Sequence, residues 1–248
     1  EALKDELLWA RDASAETVRW VAAFDYPEFT TDYTCVALRH PDEYPFNEGR
    51  IAAGNGLDIS VEEFEQHFTE HQVPYSNALQ CTLQGAPYLV GPVARVNLNH
   101  DRLPPAVRQV LADTGLSLPL RNPFHGIVAR AVEMLYALGE SLRLIDRYEP
   151  PSSPSLPVTV RAGIGMACTE APRGILYHRY RVDGQGIVQR VGREVRGEGV
   201  GQAEDGGELG TERGRAQDVE RHAGTVAGHV LHAGNPGRPG EVGLELDD

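Results

Sequence analysis

The chain has 248 residues, of which 41% are hydrophobic, and it carries a formal net charge of -13 at pH 7. This length allows one or two domains with a sizeable core, and the composition is typical of a soluble globular protein. The acidic balance argues against nucleic-acid or anionic-membrane partners, and no apolar run approaches the length of a membrane span. Because nothing at the start of the sequence resembles a signal peptide, we expect a cytoplasmic location.

The three cysteines are Cys35, Cys81 and Cys168, which are too few and too far apart for a disulfide framework or a Cys-x-x-Cys metal site. They suit a reducing compartment. The first residue is Glu1 rather than Met, so we expect the chain to begin inside a longer protein or after processing.

The first predicted element is a helix over residues 2–22, because leucines and valines recur on one broad face. We expect Trp9 and Trp20 on this helix to pack in the core, where aromatic side chains usually lie. Residues 24–58 are rich in Pro, Tyr, Asp and Gly, which predicts strands and turns. Within this region, two prolines predict a rigid connection, although His40 and Glu43 also offer side chains that can ligate a metal.

The next predicted element is a helix that begins at Ser60. Glu63 lies three residues later, as in a capping box, so the helix start is well defined. Phe64 and Phe68 then mark the side of the helix that we expect to be buried.

This helix would contain the motif His67-Phe-Thr-Glu-His71, which has the spacing found in the inverted zinc metallopeptidases. In that interpretation, the two histidines bind zinc and Glu70 activates a water molecule. Glu133 or Glu140, on a later helix, would supply the third ligand. The alternative is that these side chains form a solvated helix face.

Residues 73–103 contain several prolines and glycines, which predicts an irregular region. Alternating apolar residues at 88–90 and 94–98 predict two short strands within it. A short helix is predicted over 104–114, ended by Gly115.

The longest periodic segment predicts a helix over residues 122–148, with Asn122 as its N-cap. We expect its charged residues to form a solvated or ion-paired flank: Arg130, Glu133, Arg143 and Asp146. Farther along, residues 175–180 are predicted to pair with residues from 186 onward through the turn at Asp183-Gly184.

Arg173 lies between Pro172, which fixes its own backbone torsion, and Gly174, which permits a tight turn. A guanidinium group remains charged at any working pH and presents five donors, which suits it to anionic ligands. Two interpretations are open for this segment. Arg173 is either a binding residue or a structural arginine paired with Glu170 at the start of a strand.

The last 58 residues have a different composition from the rest of the chain. They hold 14 of the 27 glycines and lack every aromatic residue, Ile, Met, Cys, Lys and Ser. Such a sequence cannot bury enough apolar surface to form a core, which predicts disorder. An altered reading frame or a spliced end explains the abrupt change, and a genuine acidic linker is the alternative.

Four stretches of the sequence resemble one known family: residues 38–51, 88–99 and 121–151, and the motif Glu170-Ala-Pro-Arg-Gly174 with Leu176 and His178. The family is the large subunit of nickel-iron hydrogenases, in particular the cytoplasmic, NAD-reducing type. The resemblance extends over about residues 1–189. We therefore predict a partial large-subunit domain over 1–189 and a separate tail over 190–248.

The resemblance implies an α+β fold, mainly α, in which a helical bundle surrounds a long central helix and short strands form hairpins. It implies that Arg173 is catalytic, standing over a nickel-iron centre with cyanide and carbon monoxide ligands during cleavage of dihydrogen. Pro172 and His178 would lie beside the same cofactor. In the family, two Cys-x-x-Cys pairs hold the metals, and this sequence contains neither pair. No residue of this chain is therefore predicted to bind metal, and we expect the chain as written to hold no cofactor and to be inactive.

The intact protein would oxidise dihydrogen reversibly, and its partner would be an iron-sulfur small subunit. Electrons would then pass through diaphorase-type subunits to NAD(P) or a similar carrier. Two further interpretations are the quinone-site subunit of respiratory complex I, which resembles the same family, and a non-catalytic scaffold. His178 and the segment 39–51 favour the hydrogenase.

Overall fold

The computed structural model describes residues 2–191 of the chain. The α-helices among these residues are α1 (Ala2–Ala22), α2 (Phe64–His67), α3 (Pro92–Asn99), α4 (Pro105–Asp113) and α5 (Gly126–Arg147), and short 3-10 helices span Val61–Glu63, His100–Arg102 and Pro123–His125. The strands are β1 (Val36–Arg39), β2 (Arg50–Ala53), β3 (Asp58–Ile59), β4 (Phe68–His71), β5 (Gln80–Leu83), β6 (Gly163–Ala171), β7 (Gly174–Val182) and β8 (Val188–Val191). The prediction that the fold combines helices with short strands is confirmed. The predicted tail lies outside the described residues, apart from the end of β8.

The longer helices pack around a first hydrophobic core. α1 and α5 run antiparallel, since Lys4 near the start of α1 is ion-paired with Asp146 near the end of α5. Before α5, the backbone N–H of Phe124 donates to the Asn122 side chain at 3.0 Å, so Asn122 is a cap as predicted. It caps the 3-10 turn Pro123–His125, and the α-helix begins only at Gly126. The core includes Val18, Val21, Val93, Val96, Val107, Leu111, Val128, Val132 and Leu135.

Three small antiparallel sheets surround a second core. Their strand orders are β1-β2-β3, β4-β5 and β6-β7-β8. β6 and β7 pair along their whole length, from Gly163 opposite Val182 to Ala171 opposite Gly174. The pairing of β7 with β8 confirms the predicted hairpin. The second core includes Val36, Leu38, Ile51, Ile59, Phe68, Leu83 and Cys168.

Residues 92–99 form helix α3, so the strand predicted over residues 94–98 is wrong. Gly91 precedes the helix with a φ of 89°, and Pro92 occupies the first turn, where its missing N–H is harmless. α3 lies between α5 and β1 and contacts both. It therefore buries several consecutive residues, which an alternating strand pattern does not predict: Val93, Ala94, Arg95 and Val96.

The helix predicted after Ser60 ends early. The Ser60 N–H donates to the Glu63 carboxylate at 2.8 Å, as the capping box requires. However, the α-helical residues are only Phe64–His67, and Phe68–His71 is strand β4. β4 pairs with β5 and buries Phe68 in the second core. Tertiary pairing therefore overrides the local helix signals.

Trp9 and Trp20 lie on the outer face of α1, where they are 74% and 66% exposed. The prediction that both pack in the core is wrong, because the face of α1 turned toward the core carries smaller residues such as Val18 and Val21. Trp9 borders a groove between α1 and α5. No helix in the described range has both the length and the apolarity needed to cross a membrane.

Candidate functional site

The turn between β6 and β7 presents Pro172 and Arg173 at the surface. Because Ala171 pairs with Gly174, these two residues alone form the turn, and both are exposed. Among the described residues, none forms an ion pair with Arg173. Glu170, the partner that the structural interpretation gave it, is ion-paired with Arg95 at 2.8 Å instead.

Two glycines allow the chain to pass very close to this turn. Gly174 has a φ of 134°, and a Cβ atom added there would lie 2.5 Å from the Cβ of Val90. Gly91 has a φ of 89°, and its Cβ would lie 3.0 Å from the Arg173 carbonyl oxygen. Side chains rarely adopt such φ values, so both positions require glycine. The segment before α3 therefore packs directly against the arginine turn.

A buried group of charged residues lies behind the turn. Arg95 of α3 is 1% exposed and ion-paired with Glu133 of α5 at 2.6 Å, as well as with Glu170 of β6. Tyr44 adds a hydrogen bond of 2.7 Å from its hydroxyl to Glu133. The Leu38 backbone N–H donates to Glu170 at 2.8 Å. This group joins the helical core, the first sheet and the turn at one point.

The charges in this group do not cancel, because one guanidinium faces two carboxylates. Burial raises the pKa of Glu170, and hydrogen bonds from Leu38 and Arg95 only partly oppose it. Burial lowers the pKa of Arg95, but hydrogen bonds and the charges of Glu133 and Glu170 outweigh burial, so its pKa is raised. Burial, followed by the charge of Glu133, raises the pKa of Tyr44 well above its ordinary value. Arg95 therefore stays charged between the two carboxyl groups.

His178 lies on β7, in the paired part of the strand and not in the turn. It is opposite Ala167, and its Nδ1 atom is 3.2 Å from the Tyr180 hydroxyl, with the two rings stacked. It lies five residues after Arg173, which in an extended strand corresponds to about 16 Å along the chain. The structure therefore brings Pro172 and Arg173 together but sets His178 apart from them. The role that the resemblance gives to His178 stays a prediction.

The metal-ligating side chains that gather in the described part of the chain are His40, Glu43 and Glu48, whose ligand atoms lie within 4.8 Å of one another. They stand on the loop between β1 and β2. His40 is already engaged, because its Nδ1 accepts a hydrogen bond from the Asp42 backbone N–H at 3.2 Å. Carboxylate and imidazole ligands do not match the soft thiolates that suit a nickel-iron centre.

The three cysteines do not form a thiolate site either. They occupy different elements: Cys35 precedes β1, Cys81 lies in β5 and Cys168 lies in β6. Cys35 and Cys168 are buried. Burial raises the pKa of both thiols, which disfavours the thiolate form. The described residues therefore do not fit a nickel-iron centre.

The geometry needed for a zinc peptidase is absent from the motif at residues 67–71. His67 ends α2 and His71 ends β4, so the two histidines are not one helical turn apart. His67 is within 3.1 Å of Gln84, and Glu133 is engaged with Arg95. The peptidase interpretation required a continuous helix, and that premise is wrong.

Sequence reasoning missed the most informative residues of this site. Glu133 was expected on a solvated or ion-paired flank; it is ion-paired with Arg95, but it is only 8% exposed and so lies in the interior. Arg95 received no role at all. One sequence signal could have predicted that Arg95 is buried. Gly91 followed by Pro92 is typical of a helix start, and a helix would have placed Arg95 among apolar neighbours. By contrast, the exposed pairs that Arg143 and Asp146 make with Glu140 and Lys4 agree with the predicted flank.

No family model matches the chain. The curated proteins most informative for it are hydrogenase subunits. The alpha subunit of sulfhydrogenase 1 from Pyrococcus furiosus is 29% identical over 187 residues, which cover 74% of this chain and 44% of that protein. The matching subunit of the F420-non-reducing vhu hydrogenase from Methanococcus voltae is 30% identical over 136 residues, covering 51% and 31%. The chain thus spans less than half the length of these relatives.

Two solved structures share the fold. One is an NAD+-reducing NiFe hydrogenase in the H2-reduced state, with a TM-score of 0.57 and 20% identity, covering 77% of this chain and 47% of that chain. The other is the Ni-Fe-Se hydrogenase from Desulfovibrio vulgaris Hildenborough, with a TM-score of 0.51 and 20% identity, covering 75% and 48%. At this identity the likeness concerns the fold alone. The sequence relatives and the shared fold together support the resemblance to hydrogenases.

Proposed function

We propose that the chain is part of the catalytic large subunit of a nickel-iron hydrogenase and contributes Arg173 to its active site. The matched relatives are hydrogenase subunits, and the fold is shared with solved hydrogenases over about three quarters of the chain. The parent protein would oxidise dihydrogen reversibly. Because the described residues do not fit the metals, their ligands would come from the remainder of the longer protein.

The observation that carries this proposal is an exposed arginine on a turn supported by buried charges. Burying Arg95 with two carboxylates is costly, and such groups are weak contributors to stability. Arg173 is exposed and has no ion-pair partner among the described residues, so its own contacts do not offset the cost of burying Arg95 with two carboxylates. A role in binding or chemistry explains why the backbone next to Arg173 is fixed by buried groups.

The finer parts of the proposal concern the electron carrier and the partners. We include NAD(P) or a similar carrier, diaphorase-type subunits and an iron-sulfur small subunit, in the cytoplasm. One structural neighbour is an NAD+-reducing hydrogenase, but that likeness concerns the fold alone, and curated relatives include F420-non-reducing enzymes. Purified complexes should therefore be assayed with nicotinamide and other acceptors side by side. We also propose that the helices form the bundle that the family resemblance implies, with α5 as its long central helix.

The test uses a full-length version of the protein that carries both Cys-x-x-Cys pairs. Arg173→Lys should retain nickel and iron but lose most dihydrogen oxidation. Lysine keeps the charge, but it lacks the planar fork of five donors and holds its proton less firmly. Metal content by elemental analysis and dihydrogen oxidation should be measured on the same preparation.

Arg121→Lys is the matched control, because Arg121 is also exposed and is ion-paired with Asp32 at 3.1 Å. This variant should keep full activity. If Arg173→Lys also kept near-normal activity with a fully loaded site, Arg173 would be a structural arginine and its catalytic role would be refuted. Activity toward a quinone without dihydrogen oxidation would instead favour the complex I alternative.

The 248-residue chain itself should bind no nickel and turn over no dihydrogen, because side chains that surround a metal do not replace missing thiolates. Metal analysis after purification in the presence of nickel checks this. One tightly bound nickel per molecule would contradict the expectation and would show that other residues can serve as ligands.

A further inference from the structure

The guanidinium of Arg95 is directed at the backbone of the arginine turn as well as at its two carboxylates. Its Nη1 group donates to the Ala171 carbonyl oxygen at 2.8 Å, and its Nη2 group donates to the Pro172 carbonyl oxygen at 3.2 Å. The carbonyls of residues 171 and 172 lie immediately before Arg173. Arg95 on α3 therefore binds the backbone immediately before the exposed Arg173.

Every donor of this guanidinium is used. Nε and Nη2 donate to the two carboxylate oxygens of Glu133 at 2.6 and 2.7 Å, and Nη1 also donates to Glu170 at 2.8 Å. Together with the two carbonyls, these contacts occupy all the N–H groups that a guanidinium has. Because the donors are coplanar and the acceptors belong to three different elements, Arg95 has one orientation that satisfies them all.

The turn itself is not of the kind that supports a hairpin without help. Two-residue hairpin turns usually have positive φ at their first central position, because this matches the twist of the strands. Pro172 occupies that position, and its ring holds φ at about -65°. Arg173 is not among the non-glycine residues with positive φ. The turn therefore depends on contacts from outside the hairpin, and Arg95 supplies two of them.

We propose that Arg95 is the positioning residue for Arg173. It fixes the carbonyls of Ala171 and Pro172 and so sets where the Arg173 side chain leaves the backbone. Glu133 and Glu170 hold Arg95 in turn, which links this geometry to α5 and to β1. The assignment of a positioning role rests on the proposed function, because it assumes that Arg173 is the residue that acts.

Arg95→Lys is the informative substitution. Lysine keeps the positive charge between Glu133 and Glu170 but has only three N–H donors and no planar fork. At least two of the five acceptors would lose their donor. We expect the two backbone carbonyls to be released, since the carboxylates attract the ammonium group more strongly.

Hydrogen-deuterium exchange of the 248-residue chain tests the local effect. In Arg95→Lys, the amides of residues 171 and 173–175 should exchange roughly ten to a hundred times faster, as expected for the loss of one or two ordinary hydrogen bonds. Pro172 has no amide proton and gives no signal. Amides in the middle of α1 and α5 should change much less. A purely structural arginine would instead accelerate exchange throughout both cores.

Arg50→Lys is the matched control. Arg50 also donates to a carboxylate and to a backbone carbonyl, both of Asp58, at 2.6 and 3.0 Å, but its side chain is 56% exposed. This variant should leave exchange at residues 171–175 unchanged. If Arg95→Lys folds and its turn exchanges at the wild-type rate, the proposal is wrong. Uniform acceleration in all elements would also overturn it.

If Arg95→Lys does not fold, a measurement on the wild-type protein still tests the proposal. Nuclear magnetic resonance of a 15N-arginine sample should show one arginine whose Nη protons are individually resolved and exchange slowly, because all of them are bonded. That signal should be assigned to Arg95 through its contact with the Phe46 ring, whose centroid lies 5.9 Å from the guanidinium carbon. Averaged, fast-exchanging Nη protons for Arg95 would refute the positioning role of Arg95 without any substitution.

These measurements use no hydrogenase activity, so they separate this inference from the proposed function. In the full-length enzyme, Arg95→Lys should lower kcat with unchanged metal content. A loosened turn combined with full activity would show that Arg95 positions the turn but that Arg173 is not the residue that acts. An unchanged turn would refute the positioning role whatever the activity.

Discussion

Gly174→Ala is the substitution whose effect can be worked out most directly from the structure. Two separate effects act against alanine at this position. The φ of 134° is one that a residue with a Cβ rarely adopts, and such backbone strain costs about 1–3 kcal/mol. The new Cβ would also lie 2.5 Å from two side-chain carbons of Val90 and 3.1 Å from the Gly91 nitrogen.

Carbon atoms normally approach to about 3.5 Å, so this overlap is close to 1 Å. Overpacking of that kind forces a shift of the backbone and costs about 1–3 kcal/mol. The two effects together predict a loss of about 2–6 kcal/mol in the free energy of unfolding. That is a large part of the roughly 5–15 kcal/mol available to a typical domain.

The assay is urea unfolding followed by far-UV circular dichroism. Tryptophan fluorescence is a poor probe here, because Trp9 and Trp20 are exposed in the folded chain. Gly139→Ala is the control. Gly139 lies inside α5, and a Cβ added there meets nothing within 4 Å, so alanine should stabilise the chain by about 0.5–1 kcal/mol. If Gly174→Ala lost less than about 1 kcal/mol, the close packing of residues 90–91 against the turn would be refuted.

Two further predictions concern pH and thiol reactivity. Burial holds the pKa of Glu170 in the folded chain above its ordinary value of 4.5. The wild type therefore loses stability as the pH rises from 4.5 through the folded-state pKa. The free energy of unfolding of Glu170→Gln, relative to that of the wild type, should increase from pH 4.5 upward. Denaturant midpoints measured across that range check the slope, and a difference that stays flat would contradict the raised pKa. Among the cysteines, half-buried Cys81 should react first with a disulfide reagent, whereas buried Cys35 and Cys168 should react only on unfolding. Cys81→Ser should remove the fast phase, and a fast phase that persists would show that a buried thiol is accessible.

Part of the fold could be predicted from the sequence because the signals are local. α1 and α5 follow from apolar periodicity over about twenty residues, and the Asn122 cap marks the 3-10 turn that leads into α5. The exposed arginine turn could also be anticipated, since Pro172 and Gly174 restrict the backbone on either side of Arg173 whatever surrounds them. These conclusions needed no knowledge of distant residues.

Local signals failed where tertiary contacts outweigh them. Residues 68–71 carry helix signals but form β4, because pairing with β5 and burial of Phe68 stabilise the strand. Residues 94–98 have the alternating pattern of a strand but lie in α3, which packs against both α5 and β1. In both places the energy that decides the conformation comes from elements elsewhere in the chain.

The support of the candidate site was decided only by the tertiary structure. Arg95 meets Glu133 and Glu170 across sequence separations of 38 and 75 residues. Nothing in the spacing of these residues indicates that one guanidinium would satisfy both carboxylates. The sequence by itself determined that Arg173 stands between two backbone constraints. Which buried side chains hold that turn depended on the folded chain, because hydrogen bonds join atoms that are close in space rather than in sequence.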